Sequence, residues 1–139
     1  MAQVTTVKVV EGNAHLVIRF NFLSDGTGEL VNYPLLAPSE LFPPRPNNKP
    51  AFRIMQAWYG MVWFDMTLQA GTLMPVTLWT LARDCDSHTD FRCFGGILDQ
   101  NVYAVPSSDD NGILTVTTNG FQPLGSAGTL VLELRKTNG

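Results

Sequence analysis

The densest run of side chains able to do chemistry is Asp84-Cys85-Asp86-Ser87-His88-Thr89-Asp90-Phe91-Arg92-Cys93. Thiols, an imidazole and carboxylates so close together invite three readings. A structural zinc site takes four ligands in a tetrahedron. Cys85, His88 and Cys93 supply three, and the other histidine, His15, is remote in the chain. For calcium, Asp84, Asp86, His88 and Asp90 alternate like the early positions of an EF-hand. However, Thr89 stands where the loop needs glycine, and Gly95 where it needs a bidentate glutamate, so an EF-hand is excluded. A looser metal site on Asp84, Asp86 and Asp90 stays open. The third reading, Cys85 or Cys93 activated by His88, gains nothing from adjacency, because catalytic cysteine–histidine pairs normally meet through the fold.

Against these stands a polar connecting loop whose aspartates and Ser87 make side-chain turns. In that reading Cys93 is a small buried side chain beside Phe91 and Phe94. Met1–Thr6 has no basic stretch leading into an apolar one, so no secretory signal is expected and both cysteines read as free thiols, with a Cys85–Cys93 bridge left open if the loop folds back on itself. No GxxxxGK[ST] phosphate loop is present. A metal-dependent barrel enzyme of the cupin type needs several histidines, and the chain has 2. The sequence therefore predicts no catalytic residue, no cofactor and no enzyme.

The elements that must carry these residues are strands. In His15–Phe22 every second residue, Leu16, Ile18, Phe20 and Phe22, is apolar, the pattern of a half-buried strand. Val62, Phe64, Met66 and Leu68 repeat it. Leu130, Leu132 and Leu134 do so again, with Glu133, Arg135 and Lys136 outward. Val4–Val10, Glu29–Leu35, Phe52–Tyr59, Val76–Ala82 and Ile113–Thr118 are further strands on β-branched and aromatic content. Turns are expected at Ser24–Gly28, as a hairpin, at Gly60, at Ala70–Thr72, at Asp109–Gly112 and at Gly125–Gly128. No stretch sustains a helical stripe between caps. The prediction is one all-β domain over residues 1–139, an antiparallel β-sandwich or jelly roll, or a closed barrel, of about eight short strands with almost no helix.

Five of the 9 prolines, Pro38, Pro43, Pro44, Pro46 and Pro50, lie in Leu36–Pro50. Proline fixes the chain in extended or turn geometry and removes ladder donors, so this is a long loop or arm. It either crosses a neighbouring subunit or links two sheets of its own domain. In the aromatic run Phe52–Phe64 alternate positions feed a core. Trp63 and Trp79, on the less buried phase of their strands, are candidate interface anchors together with Pro43, Pro44 and Pro46.

Charge is scarce. Only 15% of the 139 residues are charged, against a usual ~25%. The formal net charge is -3 and the 9 basic residues are scattered, which argues against a nucleic-acid groove. No apolar run of the roughly 18 residues a membrane helix needs is present. Interface cores are depleted in lysine and acids and rich in aromatics and methionine, so part of the exterior is expected to be covered by other chains.

Asp90-Phe91-Arg92-Cys93-Phe94-Gly95-Gly96-Ile97, Gly112–Phe121 and Gly128–Lys136 together resemble small virion structural proteins of tailed bacteriophages, a group that includes capsid decoration or cement proteins. The likeness covers roughly the C-terminal half and rests on strand patterns, a DFR-x-FGG turn and a Thr-rich hairpin. It implies a β-rich, non-enzymatic virion component that binds the major capsid protein or other virion proteins. A homo-oligomer, with a trimer favoured, is implied as well. Alternatives are a neck, tail or fibre component, or a carbohydrate-binding jelly roll using Trp63, Trp79 or Tyr103 and the acidic loop.

Overall fold

A computed structural model describes residues 4–12, 14–26, 28–41, 44, 52–71, 76–82, 85–94, 96–97, 113–121 and 125–136. Nine strands occur among them: β1 (Val4–Glu11), β2 (His15–Leu23), β3 (Tyr33–Leu36), β4 (Phe52–Val62), β5 (Asp65–Ala70), β6 (Val76–Leu81), β7 (Cys85–Asp90), β8 (Leu114–Asn119) and β9 (Ala127–Lys136). They form a five-stranded sheet in the order β1-β2-β9-β4-β7 and a four-stranded sheet in the order β3-β8-β5-β6, with every named pair antiparallel. The fold is an antiparallel β-sandwich, as expected, and two separate sheets take the place of a closed barrel. Helix is limited, among the described residues, to single 3-10 turns at Pro38–Glu40 and Arg92–Phe94.

Alternation decides what goes inside. Leu16, Ile18, Phe20 and Phe22 of β2 and Leu130, Leu132 and Leu134 of β9 are all buried. They share one cluster with Met66, Leu68, Leu114 and Val116 of the other sheet. Phe64 ties the sheets together, 4.6 Å from the ring of Phe121 and edge-on to Phe22 at 6.5 Å. Burying such side chains contributes roughly 1.5–3 kcal/mol each, which makes this layer the main source of stability.

Several sequence expectations are corrected. Ser24–Gly28 closes no hairpin, because β2 belongs to the five-stranded sheet and β3 to the four-stranded one, so the segment is a crossover. Of Glu29–Leu35 only the end is strand. The backbone N–H groups of Leu30 and Asn32 donate to the Thr118 and Thr117 hydroxyls instead of to a ladder, and Asn32 sits at φ 47. The Glu29 carboxylate accepts from the Thr118 hydroxyl and from the backbone N–H groups of Gly120 and Phe121 at 2.8–2.9 Å, which fixes the crossover to the end of β8. Gly60 divides nothing; it lies inside β4. The run from Val62 to Leu68 is not one strand: β4 ends at Val62, Trp63 takes φ 74, and β5 starts at Asp65.

Lys136, expected outward, is buried. Its ammonium meets Glu11 Oε2 at 2.9 Å and donates to Gly12 O at 2.8 Å, clasping the β1–β2 turn to the end of β9.

Gly128 marks the tightest point of the sandwich. On β9 it opposes Phe22 and Met61. A Cβ there would come within 2.9 Å of Phe64 Cζ and 3.1 Å of Gly60 O. The methionine chain nearby can swing aside, but the ring and the carbonyl are fixed. Gly128→Ala is expected to lower stability by about 1–3 kcal/mol, the usual range for overpacking, read as a lower urea midpoint at unchanged slope. An unchanged midpoint would contradict this packing.

Candidate functional site

Residues 85–93 are not a connecting loop. Residues 85–90 form β7, the edge strand of the five-stranded sheet, paired to β4 from Gln56↔Asp90 to Met61↔Cys85. A strand made of polar residues can hold this position because its partner β4 supplies the packing and its outer face is solvated. After β7 the chain makes the 3-10 turn Arg92–Phe94. It then comes back along β4, with Phe91 N–H donating to Met55 O at 2.8 Å and Ile54 and Ile97 exchanging bonds of 2.9 and 3.0 Å. Gly96, at φ 92, makes that return, since a Cβ would lie 3.2 Å from Ile54 O.

Because β7 is a strand, its alternate residues land on the outer face of the sheet in register with the strands beyond. One row across the face reads Val7, Arg19, Val131, Trp58, His88. The next in one direction is Val10, Val17, Glu133, Gln56, Asp90; in the other, Thr5, Asn21, Thr129, Gly60, Asp86. A last, shorter row is Leu23, Ala127, Val62.

Two of these rows are chemically connected. Gln56 donates from Nε2 to Glu133 Oε2 at 3.1 Å and contacts His88 Nε2 through Oε1 at 2.8 Å. A carboxylate only accepts, so the glutamine amide faces it with its nitrogen and offers its oxygen to the histidine; His88 therefore donates from Nε2. The imidazole lies flat on Trp58, with ring centroids 4.8 Å apart and planes 9° off parallel. Beside this stack Gly60 contributes no side chain, and an open trough of about 610 Å³ results, lined by Trp58, Gly60, His88, Thr129 and Val131 among others. A second depression of about 380 Å³ continues past Gly60 and Thr129 to Leu23 and Val62. Apart from the His88 imidazole, the trough is lined by uncharged side chains on an aromatic wall. That chemistry suits a neutral, partly apolar ligand.

The sequence candidates fall as follows. Asp84 lies outside the described residues. Asp86 occupies a register position opposite Gly60. Asp90 is committed elsewhere, its carboxylate clasped by the Arg92 guanidinium at 2.7–3.0 Å and capped by the Arg92 backbone N–H at 2.9 Å. Among the described residues no group of three or more His, Cys, Asp and Glu side chains could hold a metal ion. Cys93 is a free thiol and exposed, not buried between Phe91 and Phe94 as expected, because the 3-10 turn directs residue 93 to solvent.

Trp63 is exposed, in the β4–β5 turn rather than on a strand. Trp79 opposes Leu68 in the register, so it shares the phase of the core rather than the outward one. Its ring meets buried Phe91 edge-on at 4.9 Å, while 40% of it remains exposed. Pro44 is exposed; Pro43, Pro46 and Tyr103 lie outside the described residues. Sequence reasoning missed Gln56, Trp58, Gly60 and His88 as one surface. The signal was present as alternation in Asp86, His88 and Asp90, hidden because those residues are polar.

No family model and no curated protein matches this chain. Among solved structures it is similar to a cupin superfamily protein from Desulfitobacterium hafniense, at 7% identity over 98% of this chain and 79% of that one, with a TM-score of 0.30. A cupin domain from Bordetella pertussis aligns at 12% identity over 97% and 94%, TM-score 0.36. A cupin family protein with a double-stranded β-helix fold from Methanocaldococcus jannaschii aligns at 7% over 97% and 82%, TM-score 0.33. Scores this low carry nothing about function.

The Arg92 clasp, through its side-chain hydrogen bonds first and its backbone bond second, lowers the Asp90 carboxyl from 3.8 to about 2. A depressed carboxyl contributes stability above its unfolded pKa and loses it as pH falls through the folded value. The pair is solvent-exposed, so that contribution is small. NMR titration of Asp90 should give a midpoint near 2, and Arg92→Ala should return it toward 3.8. An unmoved midpoint in the variant would break the assignment of the clasp.

Proposed function

We propose that this chain is a non-enzymatic structural protein of a bacteriophage virion, a decoration protein that binds the assembled shell, with a neck or tail position as the alternative site on the same particle. The observation that carries the reading is the uncharged end of the outer sheet face. Leu23 and Val62, 49% and 48% exposed, flank Ala127 on opposite sides in one row. Trp63 follows directly, 53% exposed, with its backbone at φ 74. A bulky residue in the left-handed region costs on the order of 1–3 kcal/mol and persists where structure or use demands it. Exposed tryptophan beside aliphatic side chains is the composition of an interface hot spot.

The scarcity of charge agrees with this reading, and so does the resemblance of residues 90–97, 112–121 and 128–136 to virion proteins. A protein that binds only the assembled state shifts the assembly equilibrium toward it by mass action. Decoration would stabilise a shell in this way without chemistry.

Purified particles of the virus that encodes the chain should contain it in fixed stoichiometry to the major capsid protein, and cryo-electron microscopy should place it on the outer shell. Absence of the chain from the particle would overturn the reading. Trp63→Gly, which suits φ 74, should keep or raise thermal stability by about 1 kcal/mol while weakening particle binding at least tenfold. Equal particle binding by the variant would remove Trp63 from the interface.

A further inference from the structure

We propose that the trough over Gly60 binds a neutral saccharide, with one sugar hydroxyl donating to Nδ1 of His88. The proposal is independent of the virion reading, and it uses none of the aromatic residues that the sequence singled out for a sugar.

One fixed ring decides which polar groups the trough presents. Glu133 accepts from the Gln56 amide nitrogen, so the amide oxygen accepts from His88 Nε2. In the neutral imidazole Nδ1 then carries a bare lone pair. The two nitrogens of an imidazole point to nearly opposite sides of the ring. Gln56 lies in the row on one side of Trp58 and His88, and Gly60 in the row on the other. Nδ1 therefore faces Gly60, and the stack on Trp58 holds it there. Among the described residues it has no hydrogen-bond partner, although His88 lines the trough.

Thr129 lies beside Gly60 in the register, and Asn21 beside Thr129. The Thr129 hydroxyl reaches Asn21 Oδ1 at 3.4 Å, long for such a bond, and the Asn21 amide nitrogen has no partner among the described residues. The Trp58 indole N–H is unpartnered in the same sense. An acceptor, N–H donors and a hydroxyl thus surround a floor without a side chain, next to aliphatic Val131. The volume of about 610 Å³ falls within the roughly 300–1,000 Å³ of small-molecule sites. Charge narrows the choice of ligand. Asp86, at the register position opposite Gly60, and Arg19, next to Val131, flank the trough with opposite signs, so a net charge on the ligand gains nothing. An extended peptide finds no ladder to join, because β4 is paired on both sides, to β7 and β9. A sugar ring supplies what these groups lack: C–H patches for Val131 and the Trp58 ring, and a rim of hydroxyls that both donate and accept.

The test is an NMR titration of the isotope-labelled full chain with maltotriose, cellotriose, chitotriose and mannotriose up to millimolar concentration, with caffeine as a neutral aromatic control. In the free protein the ring-nitrogen shifts of His88 should show the Nε2–H tautomer. At least one trisaccharide should bind saturably and shift His88 Nδ1 together with the Gly60 and Thr129 amides. His88→Phe keeps a ring on Trp58 but has no lone pair, and Gly60→Leu fills the floor from the outer face. Each should weaken binding at least tenfold while the amide spectrum of the remaining strands stays in place, so that a lost site is told from a lost fold. An Nδ1–H tautomer, no saturable binding by any of the four sugars, tighter binding of caffeine, or full affinity in His88→Phe would each overturn the proposal.

Discussion

The alternation of Leu130, Leu132 and Leu134 with Val131, Glu133 and Arg135 along β9 constrains everything else, because β9 lies between β2 and β4 and sets the register of both. A shift of one residue would turn three leucines to solvent and drive Glu133 and Arg135 into the apolar layer. With that register fixed, the inside is closed by phenylalanines and leucines from both sheets, and Gly128 leaves no slack against Phe64. The same register fixes the outside. It brings Trp58, His88 and Gly60 beside Val131 and Thr129, and it sets Leu23, Ala127 and Val62 in a line.

What emerges is a sandwich whose larger sheet presents an outer face with graded character. Near one end His15, Arg135 and Arg53 face one another across β2, β9 and β4. Toward the other end the same three strands carry no charge past Arg19 and Val131. Ionised groups keep surfaces wet, and their absence over several neighbouring strands is the physical content of a 15% charged composition. Five strands at about 4.8 Å and nine residues at about 3.4 Å give a face of roughly 700 Å², close to what one partner contributes to a standard interface. The proposed shell contact takes the Leu23–Trp63 end of this face.

Apolar alternation already showed β2 and β9 in the sequence, and β-branched and aromatic content showed most of β1, β4, β6 and β8. β7 could not, because Cys85–Asp90 is polar on both phases and the packing that holds it comes from β4. The crossover at Ser24–Gly28 carries good hairpin chemistry, and only the destination of β3 in the other sheet shows it to be something else. Lys136 looked outward by position, yet Glu11 and Gly12 draw its ammonium inward at the end of the strand. The candidate site was legible in fragments. Trp63 was read as lying on the open phase of a strand and is exposed in a turn instead, while the Trp58–His88 stack needed a strand pairing that no local pattern reveals.

The central claim is that the uncharged end of the outer face is covered by protein in the assembled state. Hydroxyl-radical footprinting of the free chain and of intact particles, read by mass spectrometry, measures this directly. The account predicts that oxidation of Leu23, Val62 and Trp63 falls at least tenfold on the particle while Val10, at the opposite end of the face, changes little. Equal oxidation of Leu23, Val62 and Trp63 in both states would contradict it.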